Sequence, residues 1–295
     1  MKTSRNLILM LAAVVLAACM GTSRVVPVTG RQQKVYGDNS ALLTQSLTEY
    51  KNYVSTAKLS TNSTNTAMVK RVGQRLANAV ETYLKNNGYQ NEVKDYNWEF
   101  NLVQDKQVNA FCMPGGKIVV YEGLLPVTQN EASLAIVLGH EIAHAVAYHS
   151  SEQYNNQLKQ QAIGQGISAV LSSTNVGSST TSIISSLYGL GSQAASLKYS
   201  RNHESEADHI GLIFAAMAGY DPNEAVTFWQ RMSASSGGSS TASWLSTHPS
   251  DAQRIADIKK ILPEALKYYN GQAGQTGKSG KKASTPKTTG TFRVK

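Results

Sequence analysis

The sequence predicts a mainly helical α+β domain with a small β-sheet or hairpin beside its most apolar helix. Three observations predict it. Between Thr66 and Gly88, Met68, Val72, Leu76, Val80 and Leu84 recur every four residues, close to the repeat of a helix with one apolar face. The stretch "QVNAFCMPGGKIVVYEGLL" instead holds two β-rich runs around Pro114-Gly115-Gly116, which is hairpin chemistry. Helical patterns return from Leu134 onward. With 41% hydrophobic residues in a chain of 295, there is enough apolar side chain to bury one sizeable core.

Residues 1–18 carry Lys2 and Arg5, an uncharged and largely apolar run from Asn6, and small residues up to Cys19. This is an export signal in outline, with an apolar run shorter than the roughly 20 residues of a spanning helix. Leu16-Ala17-Ala18-Cys19 resembles the bacterial lipobox, in which the cysteine is acylated and becomes the new N-terminus. A plain secretory signal with an incidental cysteine is the competing reading. If Cys19 carries lipid, the protein is exported and lipid-anchored to the cell envelope. Met20 after the cysteine then favours the outer membrane of a Gram-negative bacterium, facing the periplasm. Only Cys112 would remain, so no internal disulfide is expected.

Residues 19–65 read as a tether followed by a helix from about Ala41 to Leu59, with the polar "STNSTNT" as a loop. A folded domain is expected over 66–265. Within it, "YNWEFNLVQD" alternates like a strand and Leu134 to Ala147 is the apolar helix. Residues 151–200, rich in Ser, Gly and Ala, read as a flexible insertion, with a loosely packed helical insertion as the competing reading. Helices resume from Glu204 to Ala218, where Gly219 can cap, and again at Asp221-Pro222-Asn223-Glu224, which has N-cap, first-turn proline and capping-box glutamate in order. The last helix is expected from near Ser250 to just before Pro263.

Residues 266–295 read as a disordered basic tail. Most of the +9 formal charge sits there and in the signal, since Lys278, Lys281, Lys282, Lys287, Arg293 and Lys295 face no acid after residue 270. The body is nearly neutral, so specific nucleic-acid binding is not expected.

The chemistry concentrates in "LGHEIAHAVAYHS". On a helix His140 and His144 lie about 40° apart in azimuth and about 6 Å apart along the axis, so both imidazoles can aim at one metal ion. Zinc suits two histidines, a carboxylate and a water. Glu141, about 100° round the helix, can reach a water beside that metal and take its proton. The competing reading is a buried helix with hydrogen-bonded histidines. The metzincin continuation fails, because Ala147 and Ser150 stand where a glycine and a third histidine belong. A carboxylate from a later helix is the alternative, and "YSRNHESEADHIG" offers Glu204. Asp208, one turn on, shares its face and can accept the N–H of a metal-bound histidine. Glu206, rotated about 200°, is expected to be a solvated carboxylate. His149 lies some 140° round from His144 on a continuous helix and reads as a non-ligand, while His203 and His209 read as polar-face histidines.

With "VNAFCMPGGKIVVYEGLL" before it and "ESEAD" and "THPSDAQRI" after it, the H-E-x-x-H segment resembles metallopeptidase family 48 over roughly Thr66 to Leu262. These are gluzincins that include the CAAX prenyl proteases and HtpX. The resemblance implies a zincin-type fold and one Zn2+ per chain held by His140, His144 and Glu204. It also implies Glu141 as general base and Asp208 behind the ligands. With the lipobox, the chain is similar to exported, lipid-anchored members that act in envelope quality control. The expectation is therefore a zinc endopeptidase for misfolded or unassembled envelope proteins, joined to the membrane through Cys19. A chaperone-like lipoprotein that binds without turnover, or a non-proteolytic zinc hydrolase, would use the same motif. Oligomeric state is not specified.

Two further sites are expected. Asn109-Ala110-Phe111 can offer a backbone edge on which a peptide substrate adds as a strand, or it is a structural edge. His248 precedes Pro249, which disfavours helical geometry there, so its imidazole can project from the loop. It then stabilises an oxyanion, occupies the metal's open position, or only packs.

Overall fold

The computed structural model describes residues 22–35, 39–156, 199–234, 248 and 252–273. The export signal with Cys19, most of the Ser/Gly/Ala-rich insertion and the tail beyond residue 273 lie outside the described residues. In chain order the named strands are β1 (Thr22–Val25), β2 (Gln32–Val35), β3 (Glu99–Val103), β4 (Ala110–Met113) and β5 (Lys117–Tyr121). The helices are α1 (Asn39–Thr56), α2 (Ser63–Asn86), α3 (Leu125–Thr128), α4 (Glu131–Val146), α5 (Arg201–Met217), α6 (Glu224–Ala234) and α7 (Ala252–Ala273). The architecture is the expected mainly helical α+β one.

The apolar stripe of α2 faces inward as its periodicity requires: Val72, Leu76, Val80 and Leu84 are fully buried. Asn62 caps this helix by accepting from the Asn65 N–H, so it starts inside the polar stretch read as a loop. The Pro114-Gly115-Gly116 turn joins β4 and β5 antiparallel, with Gly115 and Gly116 at positive φ. Strand β3 adds parallel to β5, giving the order β3-β5-β4. Strand β4 is therefore an edge, and it packs against α4.

Every residue of α4 from Ser133 to Val146 is buried. Its main partner is α5, and the two backbones meet where each has a glycine. A Cβ on Gly139 would stand 2.6 Å from the Gly211 carbonyl oxygen, and one on Gly211 would stand 2.6 Å from the His140 nitrogen. Only glycine permits this approach, and it occurs beside the first histidine of the motif.

Three elements differ from expectation. Part of the segment read as a tether is the antiparallel hairpin β1–β2, whose Val26 is fully buried in the main core. Helix α7 does not stop before Pro263 but runs through it to Ala273, taking in eight residues assigned to the tail. Proline removes one backbone donor, yet Ala265 is fully buried, Tyr268 and Tyr269 pack on the core and Glu264 accepts from His209 at 2.8 Å. Packing overrides the local breaker. Finally, the chain turns after α4: Tyr148 has φ 55°, the left-handed region, and residues 149–156 form a separate helical segment. No helix among the described residues is long and apolar enough to cross a membrane.

Candidate metal centre

Helix α4 begins at Asn130, whose side chain accepts from the Ser133 N–H at 2.7 Å, and carries His140, Glu141 and His144 into the interior at 2 to 4% exposure. Helix α5 begins at Ser200, whose hydroxyl accepts from the His203 N–H, so Glu204 falls in its first turn, where a carboxylate suits the helix dipole. The glycine crossing brings the two helices together at this level. His140 Nε2 lies 3.1 Å from His144 Nε2 and 3.4 Å from Glu204 Oε2, and His144 Nε2 lies 3.4 Å from Glu204 Oε1.

The fourth corner is His248. Its Nδ1 stands 3.1 Å from His140 Nε2 and 3.0 Å from Glu204 Oε1, and its Nε2 is 3.6 Å from Glu141 Oε1. Ligands about 2.0 to 2.1 Å from a tetrahedral zinc are separated by about 3.3 Å, which is the spacing found here. Three imidazoles and a carboxylate aimed at one point fit a zinc ion.

The outer nitrogens fix which atoms face inward. Asp208 Oδ1 accepts from His140 Nδ1 at 2.9 Å, as the shared face of Glu204 and Asp208 predicts. Asp208 is in turn held by Arg254, which donates to both its oxygens at 2.7 and 2.8 Å and to Glu204 Oε2 at 3.2 Å. The Arg254 guanidinium is buried and lies 3.5 Å over the Trp229 ring. His144 stacks on Tyr199 with ring centroids 4.0 Å apart.

Burial lowers His140, but the Glu204 charge and the Asp208 and Glu204 hydrogen bonds carry it up to about 9. Burial dominates at His144, which is pushed well below its ordinary value. Glu204 is raised by burial, but the charges of His248 and His140 more than reverse this, so it stays ionised.

The structure thus brings together His140, Glu141, His144, Glu204, Asp208 and His248. Asn109, Ala110 and Phe111 are at and beside the edge strand β4; the Phe111 side chain is buried against Tyr53 and Tyr121. Strand β4 packs against α4, the helix that carries His140, Glu141 and His144.

Two expectations are corrected. Glu206 is not solvated: it is 8% exposed and accepts from His149 Nε2 at 2.9 Å, Arg31 Nε at 2.8 Å and Thr29 Oγ1 at 2.6 Å. His149, read as turned away from the site, stands against it, with its Nδ1 2.9 Å from His144 Nδ1. The 140° estimate assumed a continuous helix, and the left-handed Tyr148 breaks it and swings His149 back. Arg254, Arg31 and Tyr199 were not foreseen. Arg254 lies in "THPSDAQRI" and Tyr199 opens "YSRNHESEADHIG", but Arg31 had no local signal.

A model of peptidase family M48 matches residues 63–262 of the chain. Over 177 residues the chain is 39% identical to the mitochondrial metalloendopeptidase OMA1 of Schizosaccharomyces pombe, covering 59% of this chain and 49% of that protein. It is 38% identical over 186 residues to the OMA1 of Arabidopsis thaliana, covering 61% and 35% respectively. It is 28% identical over 189 residues to a putative beta-barrel assembly-enhancing protease of Vibrio cholerae, covering 60% and 38%. The chain spans about half, or less, of the length of these relatives. The chain belongs to peptidase family M48.

Proposed function

We propose that this member of family M48 is a zinc-dependent endopeptidase, with His140, His144 and Glu204 as the metal ligands and Glu141 as the general base. The observation that carries the reading is the convergence of those three ligands at tetrahedral spacing with a buried glutamate beside them. When bound, zinc would polarise the scissile carbonyl and make water a competent nucleophile at neutral pH. Glu141 takes the proton from the attacking water and returns it to the leaving amine. Asp208 holds the Nδ1 proton of His140, so that Nε2 presents its lone pair. The backbone edge at Asn109-Ala110-Phe111 receives the substrate as an added strand.

His248 stands at the corner a substrate or water would need, so the arrangement corresponds to a latent form in which this histidine gates the site. Of the roles open to it from sequence, this one suits its Nδ1 position best. Substrates are assigned to misfolded or unassembled envelope proteins, and the anchor to lipid on Cys19. The anchor rests on the Leu16–Cys19 pattern alone, and the substrate class on that pattern together with the beta-barrel assembly named for one relative; palmitate-analogue labelling of Cys19→Ser reads the anchor.

Cleavage of an unfolded protein, with zinc content measured alongside, tests the mechanism. Glu141→Gln should retain zinc and lose activity by about 10³-fold, within the range general bases contribute. His248→Ala should retain zinc and raise turnover. Wild-type activity in Glu141→Gln would sink the hydrolytic reading, and a fall in His248→Ala would replace gating with transition-state stabilisation.

A further inference from the structure

We infer that Arg31, Glu206 and His149 form a chain, running from the half-buried Arg31 to the buried His149, that orients His144, making the N-terminal hairpin a positioning part of the metal centre. The inference rests on the ligand set proposed above and extends it to a segment outside the family match, which begins at residue 63.

The chain is fixed link by link. For His144 to offer Nε2 to a metal, its proton must sit on Nδ1. That nitrogen is 2.9 Å from His149 Nδ1, so His144 donates and His149 accepts. His149 must then carry its own proton on Nε2, which donates to Glu206 Oε2 at 2.9 Å. Glu206 accepts in turn from Arg31 Nε at 2.8 Å and Thr29 Oγ1 at 2.6 Å. Each group has one role that satisfies both neighbours, so the tautomer of His144 is set at the far end by a guanidinium. His149 is fully buried, and Glu206 nearly so.

The hairpin that supplies Arg31 is anchored to the helix that supplies His144. Gln33 Nε2 donates to the Ala147 carbonyl at 2.6 Å, and Arg24 Nη2 donates to the Val146 carbonyl at 2.8 Å. These carbonyls at the end of α4 have no onward helix to bond, and an arginine there also suits the helix dipole. Arg24 further lies 4.0 Å over the ring of Tyr148, the left-handed residue that turns His149 back. Hairpin, helix end and relay therefore move as one unit.

A second metal site would compete for the same groups, because His149, Glu152 and His203 also approach within 4.8 Å of one another. Both Glu152 oxygens already accept from Arg31 at 2.9 Å, and both His149 nitrogens are committed to His144 and Glu206. A guanidinium in that position repels a cation. The cluster is an ion-pair network serving the first metal centre.

The test measures zinc affinity of the full-length protein by chelator competition and the visible spectrum of the Co2+-substituted form, independently of activity. Arg31→Ala should weaken zinc binding about 10-fold and shift the Co2+ bands, the scale expected when a ligand loses its outer partner. Arg31→Lys should recover part of the loss. Leu84→Ala, which opens a cavity in the core at α2, should lower the melting temperature without moving either readout. If Arg31→Ala does not fold, Glu206→Gln is read in its place, with the same weakening expected. Affinity within twofold of wild type and an unchanged Co2+ spectrum would overturn the relay, as would an equal loss in Leu84→Ala. Wild-type protein without zinc, or zinc bound equally well by His144→Ala, would instead overturn the ligand set itself.

Discussion

His140 and His144 are one turn apart on the same helix and point at the same place, but they are held from behind in different ways. Behind His140 stands a carboxylate, Asp208, both of whose oxygens accept from Arg254. Behind His144 stands another imidazole, His149, with Glu206 and Arg31 one step further out. The electrostatic result is opposite. Against the burial that lowers it, His140 is carried up to about 9 by the Glu204 charge and the Asp208 hydrogen bond, whereas burial pushes His144 well down. Both imidazoles face Glu204 at 3.4 Å through Nε2, but behind His140 a carboxylate is in direct contact, whereas behind His144 the carboxylate is reached only through the His149 ring. Identical residues at helical spacing thus acquire different supports, because Asp208 on α5 lies behind His140 while the turn at Tyr148 brings His149 behind His144.

That difference can be removed altogether by separating the helices. Gly139→Val would drive side-chain atoms into the Gly211 backbone, 2.6 Å from where the Cβ would sit. Both supports depend on α5, so the variant should fail to retain zinc and lose stability by roughly 1 to 3 kcal/mol or more, as overpacked cores do. Zinc content and thermal melting read the outcome. Full metal occupancy would mean that the ligands do not need the close crossing.

Removing one support at a time sharpens the comparison. Asp208→Ala should weaken zinc binding about 100-fold and His149→Ala about 10-fold, the two ends of the range for partners of metal-bound histidines. Chelator competition measures both. Equal losses would mean that the charge of the partner is irrelevant and only the hydrogen bond counts.

The smallest expected effect is in acid. Burial raises Glu206, but the hydrogen bonds from His149, Arg31 and Thr29 outweigh it and hold the group at about 2, below its ordinary 4.5. A carboxylate lowered on folding contributes stability that is complete above 4.5 and is lost as pH falls from there through about 2. His149, lowered by burial to about 4 from 6.5, adds a loss that starts below 6.5. Glu206→Gln should therefore melt at a lower temperature than wild type at pH 7, with the gap narrowing as pH drops from 4.5 to 3. A gap independent of pH would place the stabilisation outside this ion pair.

The sequence by itself determined the inward-facing half of the centre. Helical periodicity ties residue number to direction over a few turns, so His140, Glu141 and His144 were legible from one helix and Glu204 with Asp208 from another. The hairpin at Pro114-Gly115-Gly116 was legible for the same local reason, since turn chemistry is confined to adjacent residues. Tertiary structure decided what stands behind that half. Arg31 and Arg254 lie more than a hundred and about fifty residues from the groups they hold on α5, and a lone arginine carries no sign of its partner. Glu206 and His149 were misjudged because extrapolating helical azimuth assumes a solvated outer face and an unbroken helix. The docked hairpin removed the first condition and the left-handed Tyr148 the second. Gly139 and Gly211 are unremarkable in sequence, and only the contact of two backbones makes them necessary. Local geometry aims a side chain, while long-range packing chooses its partner and hence its charge.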